Sequence, residues 1–100
     1  YALWPRTVKV TGVEKGSNST IITLAPNTPW PLPEAAAGQR LRLHLDHPGW
    51  AIEEITDASG AQYRIEVTDS PTGDPVTNWL RNELGGEEIL TISGPYGKPR

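Results

Sequence analysis

Two adjacent acidic residues, Glu53 and Glu54, are the first candidates for chemistry in this sequence. Paired carboxylates can serve as general acid and general base when both reach one substrate. The surrounding residues alternate as in a β-strand, and strand neighbours point to opposite faces of a sheet. The two carboxylates are therefore not expected to converge, and no catalytic residue is predicted here.

A second group, His44, Asp46 and His47, carries side chains that bind metal ions. His44 and Asp46 share a strand face, but His47 lies in a turn and no fourth ligand is evident. Solvent-facing side chains are the favoured interpretation, and no metal site is predicted. Thr77 could act as a nucleophile, but no base is placed beside it, and a position at a helix start accounts for it.

Composition excludes several classes of function. The net charge of −3 and the scatter of the nine basic residues argue against nucleic-acid binding. The absence of Cys excludes disulfides, thiol catalysis and cysteine-ligated metals. The sequence shows neither a membrane-spanning stretch nor a signal peptide, so a soluble cytoplasmic or recombinant protein is expected. The length of 100 residues predicts one domain over 1–100.

The elements that position these residues are predicted to be short strands. Alternating apolar and polar residues predict strands at 7–11, 20–24, 40–45, 63–67 and 89–93, with the stretch 49–57 between turns. One helix is predicted between a cap at Asp74 and a stop at Gly85, and Gly94 to Gly97 are predicted to form a turn. Because closure removes exposed edges, the pattern predicts an all-β fold with one short helix, a six-stranded antiparallel Greek-key β-barrel.

Four motifs follow one another along the chain. They are Ala37-Gly38-Gln39, Ile55-Thr56-Asp57 with Tyr63-Arg64-Ile65-Glu66-Val67, the stretch from Gly73 to Leu80, and the stretch from Gly86 to Gly97. In this order and spacing they resemble the FAD-binding barrel of the ferredoxin-reductase superfamily. That group includes the reductase part of flavohaemoproteins and the reductases of ring-hydroxylating oxygenases.

The resemblance implies an Arg-x-Tyr-Ser flavin motif directly before Ile55-Thr56. In the family, Arg neutralises phosphate, Tyr packs on the isoalloxazine and Ser hydrogen-bonds near its reactive nitrogen. Ala51, Glu53 and Glu54 stand at these positions here, so all three are replaced. At an effective dielectric of about 20, like charges about 4 Å apart cost roughly 4 kcal/mol, about a thousandfold in affinity. The family's nicotinamide-nucleotide domain has no counterpart in the sequence, so neither a bound cofactor nor turnover by this chain alone is expected.

The leading hypothesis is therefore a non-catalytic binding module on a barrel whose flavin site has been overwritten. The lack of Phe, Met and Cys fits a deliberately engineered sequence. Exposed Trp beside Ile is typical of a binding hot spot, so a protein partner or a second copy is the expected ligand, with a small hydrophobic ligand as an alternative. Whether Trp50 faces outward or folds into the emptied groove is left open. The predicted partner-binding residues are Trp50, Ala51, Ile52, Glu53, Glu54, Trp30 and Ala35.

The second hypothesis is an FAD-binding domain from an NAD(P)H-dependent flavin oxidoreductase that holds its flavin in an altered way. Backbone N–H groups at the helix start could still receive a pyrophosphate. The residual cofactor-binding residues would then be Val76, Thr77 and Asn78. Flavin binding by the purified protein separates the two hypotheses.

Overall fold

The chain folds into a closed barrel of six antiparallel strands in the computed structural model. The structure describes residues 5–29, 31–44, 50–58, 62–68, 75–82, 84 and 88–99. The elements in chain order are β1 (Arg6–Lys15), β2 (Ser19–Pro26), β3 (Arg40–His44), β4 (Trp50–Asp57), β5 (Tyr63–Thr68), α1 (Pro75–Asn82) and β6 (Ile89–Tyr96).

The strands follow one another around the barrel in the order β1-β2-β5-β4-β3-β6. β3, β4 and β5 are sequential neighbours, and β2 pairs with β5 rather than with β3, which is a Greek-key connection. The predicted six-stranded antiparallel barrel with one short helix is confirmed. No helix in the described part of the chain is long and apolar enough to cross a membrane.

Inward-facing apolar side chains from all six strands fill the barrel. The alternation predicted for β3 is present, since Leu41 and Leu43 are fully buried and their strand neighbours are exposed. The helix contributes Leu80, which is fully buried, and Trp79 packs against the core while partly exposed. The buried apolar residues are Val8, Val10, Ile22, Leu24, Leu41, Leu43, Ile55, Tyr63, Ile65, Val67, Leu80, Leu84, Leu90 and Ile92.

β1, β2 and β6 each extend at least three residues further than the sequence predicts. β1 continues to Lys15 because its pairing with β2 resumes after an irregularity between Val10 and Gly12. β6 continues to Tyr96, so the turn predicted from Gly94 to Gly97 is wrong for its first three residues. A register shift in the pairing of β6 with β3 accommodates the extra residue, as a β-bulge does.

Hydrogen bonds of Gln39 hold the segment that leads into β3 in place. Its side-chain oxygen accepts a hydrogen bond of 2.9 Å from the Ala36 amide, and its Nε2 donates one of 3.1 Å to the Gly97 carbonyl oxygen. The backbone carbonyl oxygen of Gln39 accepts from the Ile55 amide at 2.7 Å, and the Gly38 amide donates to the Ile55 carbonyl oxygen at 2.9 Å. One residue thus ties the entry to β3, the middle of β4 and the end of β6 together.

Candidate functional site

The outer face of β4 carries Ile52 and Glu54. The register places Ile52 opposite Arg42 and Glu54 opposite Arg40 on β3. Directly opposite residues in an antiparallel pair share a face, and Leu41 between the two arginines is fully buried. All four side chains therefore lie on the outside of the barrel, where Ile52 is 51% exposed.

The inner face of β4 carries Ala51 and Glu53, which lie opposite the buried Leu43 and Leu41. Ala51 is partly buried and packs against the core, as does Ala35 in the segment before β3. Glu53 and Glu54 consequently lie on opposite faces of the sheet, as strand geometry requires. The predicted partner surface is thus divided between the two faces, and its role in binding stays a prediction.

A groove of about 360 Å³ lies on the outer face and is lined by Arg40, Arg42, Ile52 and Tyr96; it is called the outer groove below. Tyr96 enters it from β6, where it lies opposite Arg40. Gly94 makes room for the tyrosine ring, because a Cβ at Gly94 would lie 3.0 Å from Cδ2 of Tyr96. Side chains from β3, β4 and β6 therefore combine to form this concave surface, and β6 is distant in sequence from the other two strands.

The electrostatics of the outer groove favour an anion. Arg40 has an acid, Glu54, directly opposite it on β4. Arg42 lies between Ile52 on β4 and Ser93 on β6. Both charged side chains that line the groove are arginines, on a chain whose total charge is −3.

His44 lies further along the outer face of β3, with its Nε2 3.1 Å from the Ser93 hydroxyl oxygen. A Ser–His pair can form a nucleophile and base, but Ser93 is only 4% exposed, so its hydroxyl is closed to a substrate. This hydrogen bond joins β3 to β6. The described residues contain no group of three potential metal ligands, and Asp46 and His47 lie outside them.

A second concavity of about 330 Å³ lies at the barrel end where β1 begins. The nearby Tyr63 hydroxyl donates a hydrogen bond to the Pro33 carbonyl oxygen, which holds the proline-rich segment against the barrel. Burial raises the pKa of Tyr63, and the positive charge of Arg6 partly opposes that rise. The lining residues are Pro5, Arg6, Thr7, Pro26, Thr28, Pro31 and Leu32.

Several predicted site residues cannot be assigned to either concavity. Trp30 lies outside the described residues, as do the side chains of Trp50, Val76 and Thr77. The backbones of Val76 and Thr77 belong to the first turn of α1, and Asn78 is exposed on the same helix. Partner binding through the two tryptophans and pyrophosphate binding at the helix start both stay predictions.

The sequence does not assign Arg40, Arg42 or Tyr96 to a site. A signal exists for the two arginines, because their alternation with leucine places both on one strand face. Their position beside Ile52 and Tyr96 depends on how β3 pairs with β4 and β6, and the alternation within one strand does not reveal that pairing.

Solved structures with the same fold are found within longer proteins. The chain is similar to an intact type IV self-sufficient cytochrome P450 monooxygenase, with 21% identity over 93% of this chain and a TM-score of 0.83. It is similar to phthalate dioxygenase reductase, described as a modular structure for electron transfer from pyridine nucleotides to 2Fe-2S, with 18% identity over 92% of this chain and a TM-score of 0.81.

A third similar structure is the flavohaem-like FAD/NAD-binding domain of nitric oxide dioxygenase from Vibrio cholerae O1 biovar El Tor. It shares 20% identity over 93% of this chain, with a TM-score of 0.76. The chain spans 12%, 30% and 44% of the lengths of these three structures. No protein-family model matches the sequence, and no curated protein matches it significantly.

The chain therefore has the fold of the FAD-binding barrel found in ferredoxin-reductase-type proteins. This confirms, for the fold, the resemblance carried by the four sequence motifs. The sequence similarity is too low to carry the activities of these proteins over to this chain.

Proposed function

We propose that this chain is the flavin-nucleotide-binding domain of an electron-transferring oxidoreductase, and that the flavin binds at the outer groove. The observation that carries the proposal is the composition of that groove, in which Ile52 and Tyr96 adjoin Arg40 and Arg42. A flavin nucleotide has matching parts, namely a flat apolar ring system and a charged phosphate.

The groove fits such a ligand in size and chemistry. Its volume of about 360 Å³ lies within the range of about 300 to 1,000 Å³ typical of ligand pockets. An aromatic side chain stacked on a ring system contributes roughly 1–3 kcal/mol. Guanidinium groups bind phosphate through two parallel hydrogen bonds, which fixes orientation as well as charge.

The acids of β4 oppose flavin binding less than the sequence alone implies. The expected penalty of roughly 4 kcal/mol assumes a carboxylate about 4 Å from the phosphate with no cation nearby. Glu53 lies on the inner face, and Glu54 lies directly opposite Arg40. Arg40 thus offsets the charge of Glu54, the outward-facing member of this pair.

A bound flavin would supply the redox chemistry, and the chain's own residues would bind and orient it. Tyr96 and Ile52 would cover its apolar ring surface and exclude water, while the arginines would hold the phosphate end. The FAD/NAD-binding domain from Vibrio cholerae is more than twice as long as this chain, which spans 44% of it, so we assign reductant binding to a separate domain.

A second candidate function is the binding of a protein partner, which the exposure of Ile52 supports. Ile52 and Ile89 are the large apolar side chains that are half-exposed among the described residues, at 51% and 50%. Scattered apolar side chains are common on protein surfaces, whereas Ile52 also lines a concave site. Flavin binding explains both the exposure of Ile52 and its position in the groove, so we prefer it to partner binding. An engineered origin of the sequence stays a prediction.

The two isoleucines provide a matched test. FMN and FAD are titrated with the purified protein, and binding is followed by flavin fluorescence and by equilibrium dialysis. We expect saturable binding that Ile52→Ala weakens by about 1 kcal/mol, roughly fivefold, because the methyl groups removed are only half-buried before binding. Ile89→Ala, with the same exposure but outside the groove, should leave the affinity unchanged.

The competing function gives a different pattern. A partner-binding module would show no flavin binding, and self-association on a sizing column would be sensitive to Ile52→Ala. Absence of flavin binding at millimolar concentration would refute the proposal.

A further inference from the structure

We infer that Arg40 and Arg42 of β3 hold the phosphate of the bound nucleotide, so that the cation of this site lies on β3 and not on β4. This inference rests on the proposed function. The β4 positions that face the core or the groove offer Ala51, Ile52, Glu53 and Glu54, none of which is cationic. Within the described residues, the cations that line the outer groove both come from β3.

The geometry of β3 suits one shared anion. Residues two apart on a strand project from the same face, and their Cα atoms are about 7 Å apart. Arg40 and Arg42 are both exposed, and Leu41 between them is fully buried, which fixes the direction of both. Two long side chains with this spacing can converge on one phosphate or contact adjacent phosphates of a dinucleotide.

The residues around the arginines set the limits of the phosphate position. A single cross-strand row contains Tyr96 on β6, Arg40 on β3, Glu54 on β4 and Glu66 on β5. Glu66 accepts a hydrogen bond of 3.0 Å from the Ser19 hydroxyl. The acids occupy the β4–β5 side of this row, so the phosphate is placed on the β3–β6 side, against the arginines and away from Glu54.

A consequence is a preference for phosphorylated flavins. Riboflavin has the same ring system as FMN but no phosphate, so the ratio of the two affinities isolates the phosphate contact. Hydrogen bonds to charged groups predict that FMN binds roughly ten- to a hundredfold more tightly than riboflavin at low salt. Added salt should reduce this ratio, because both arginines are exposed.

The test measures the affinities of riboflavin, FMN and FAD for the protein and for four variants. Arg40→Gln and Arg42→Gln should each lower the FMN-to-riboflavin affinity ratio by roughly five- to tenfold, and the double variant should abolish the preference. Glu54→Gln should raise FMN affinity a few-fold, because it removes the acid opposite Arg40. Each of these changes should leave riboflavin binding unaltered.

Arg64→Gln is the control for the change in net charge. Arg64 is exposed on β5 and forms a 3.1 Å ion pair with Asp57, outside the outer groove. The Arg64→Gln variant should leave the ratio of FMN affinity to riboflavin affinity unchanged. Circular dichroism and urea unfolding confirm that each variant is folded.

Different results would contradict flavin binding itself and phosphate binding by Arg40 and Arg42. If the protein binds flavins but the arginine variants keep the full preference for FMN, the phosphate lies elsewhere and this inference is wrong, while the proposed function stands. If Arg64→Gln lowers the ratio as much as Arg42→Gln does, the effect reflects overall charge, and the inference is also wrong. If the protein binds none of the three flavins, the proposed function is wrong and the inference falls with it.

Discussion

Replacement of Gly94 by alanine should destabilise the barrel more than the same replacement of Gly97. Both glycines have positive φ angles, 111° and 83° respectively. Alanine in this region costs roughly 1–2 kcal/mol in backbone strain, and that cost applies to both variants. The two positions differ in their surroundings, which makes Gly97→Ala a control for backbone strain alone.

The additional cost at Gly94 follows from two close contacts. A Cβ there would lie 3.0 Å from Cδ2 of Tyr96 and 3.1 Å from the carbonyl oxygen of Arg40, whereas a Cβ at Gly97 meets nothing within 4 Å. The tyrosine ring can move, but the Arg40 carbonyl belongs to the backbone of β3, which is paired with β6. Crowding of this kind costs roughly 1–3 kcal/mol, so we expect a total of about 2–5 kcal/mol at Gly94 and about 1–2 kcal/mol at Gly97.

Equilibrium unfolding in urea measures both changes. The midpoint should fall further for Gly94→Ala than for Gly97→Ala, with the slope of the transition unchanged in both. Because the tyrosine ring is displaced, Gly94→Ala should also weaken flavin binding. Equal destabilisation of the two variants would show that Tyr96 and Arg40 do not crowd this position, and would refute the account of how the groove is built.

Two further predictions concern the residues that hold the barrel ends. Tyr63→Phe removes the hydrogen bond to the Pro33 carbonyl oxygen and should cost roughly 1–3 kcal/mol. Burial raises the Tyr63 pKa above its usual 10.0, so the unfolded chain loses this proton first and the wild-type free energy of unfolding should fall above about pH 10. Tyr63→Phe should reduce this loss of stability at high pH, as measured by urea unfolding from about pH 8 to about pH 11. An unchanged pH dependence in the variant would show that the Tyr63 hydroxyl is not its source. Gln39→Ala removes two side-chain hydrogen bonds, to Ala36 and Gly97, and should lower the free energy of unfolding by about 1–2 kcal/mol. A decrease below about 0.5 kcal/mol would show that these bonds do not stabilise the strand ends.

The fold could be predicted from local pattern because most strands bury one face. In β5, Tyr63, Ile65 and Val67 are buried and Arg64 is exposed, as the alternation predicts. The end of β6 could not be predicted in the same way. Its Gly94-Pro95 pair is typical of a turn, but pairing with β3 continues through a bulge and carries Tyr96 into the outer groove.

The candidate site was harder to predict because it depends on which strands are neighbours. The resemblance directs attention to the β4 positions, where the sequence predicts that Glu53 and Glu54 stand in place of the family's flavin-binding residues. The register adds a fact that the motif does not contain, namely that Arg40 lies directly opposite Glu54. Our proposal is that the arginines of β3 take the phosphate-binding role that the motif has on β4.

A titration of isotope-labelled protein with FMN, followed by amide chemical shifts, locates the bound flavin. We expect the largest shifts to cluster at Arg40, Arg42, Ile52 and Tyr96, and to saturate together. Riboflavin should shift Ile52 and Tyr96 but leave the two arginines nearly unchanged. Shifts confined to the concavity beside Arg6, or no shifts at millimolar FMN, would contradict flavin binding at the outer groove.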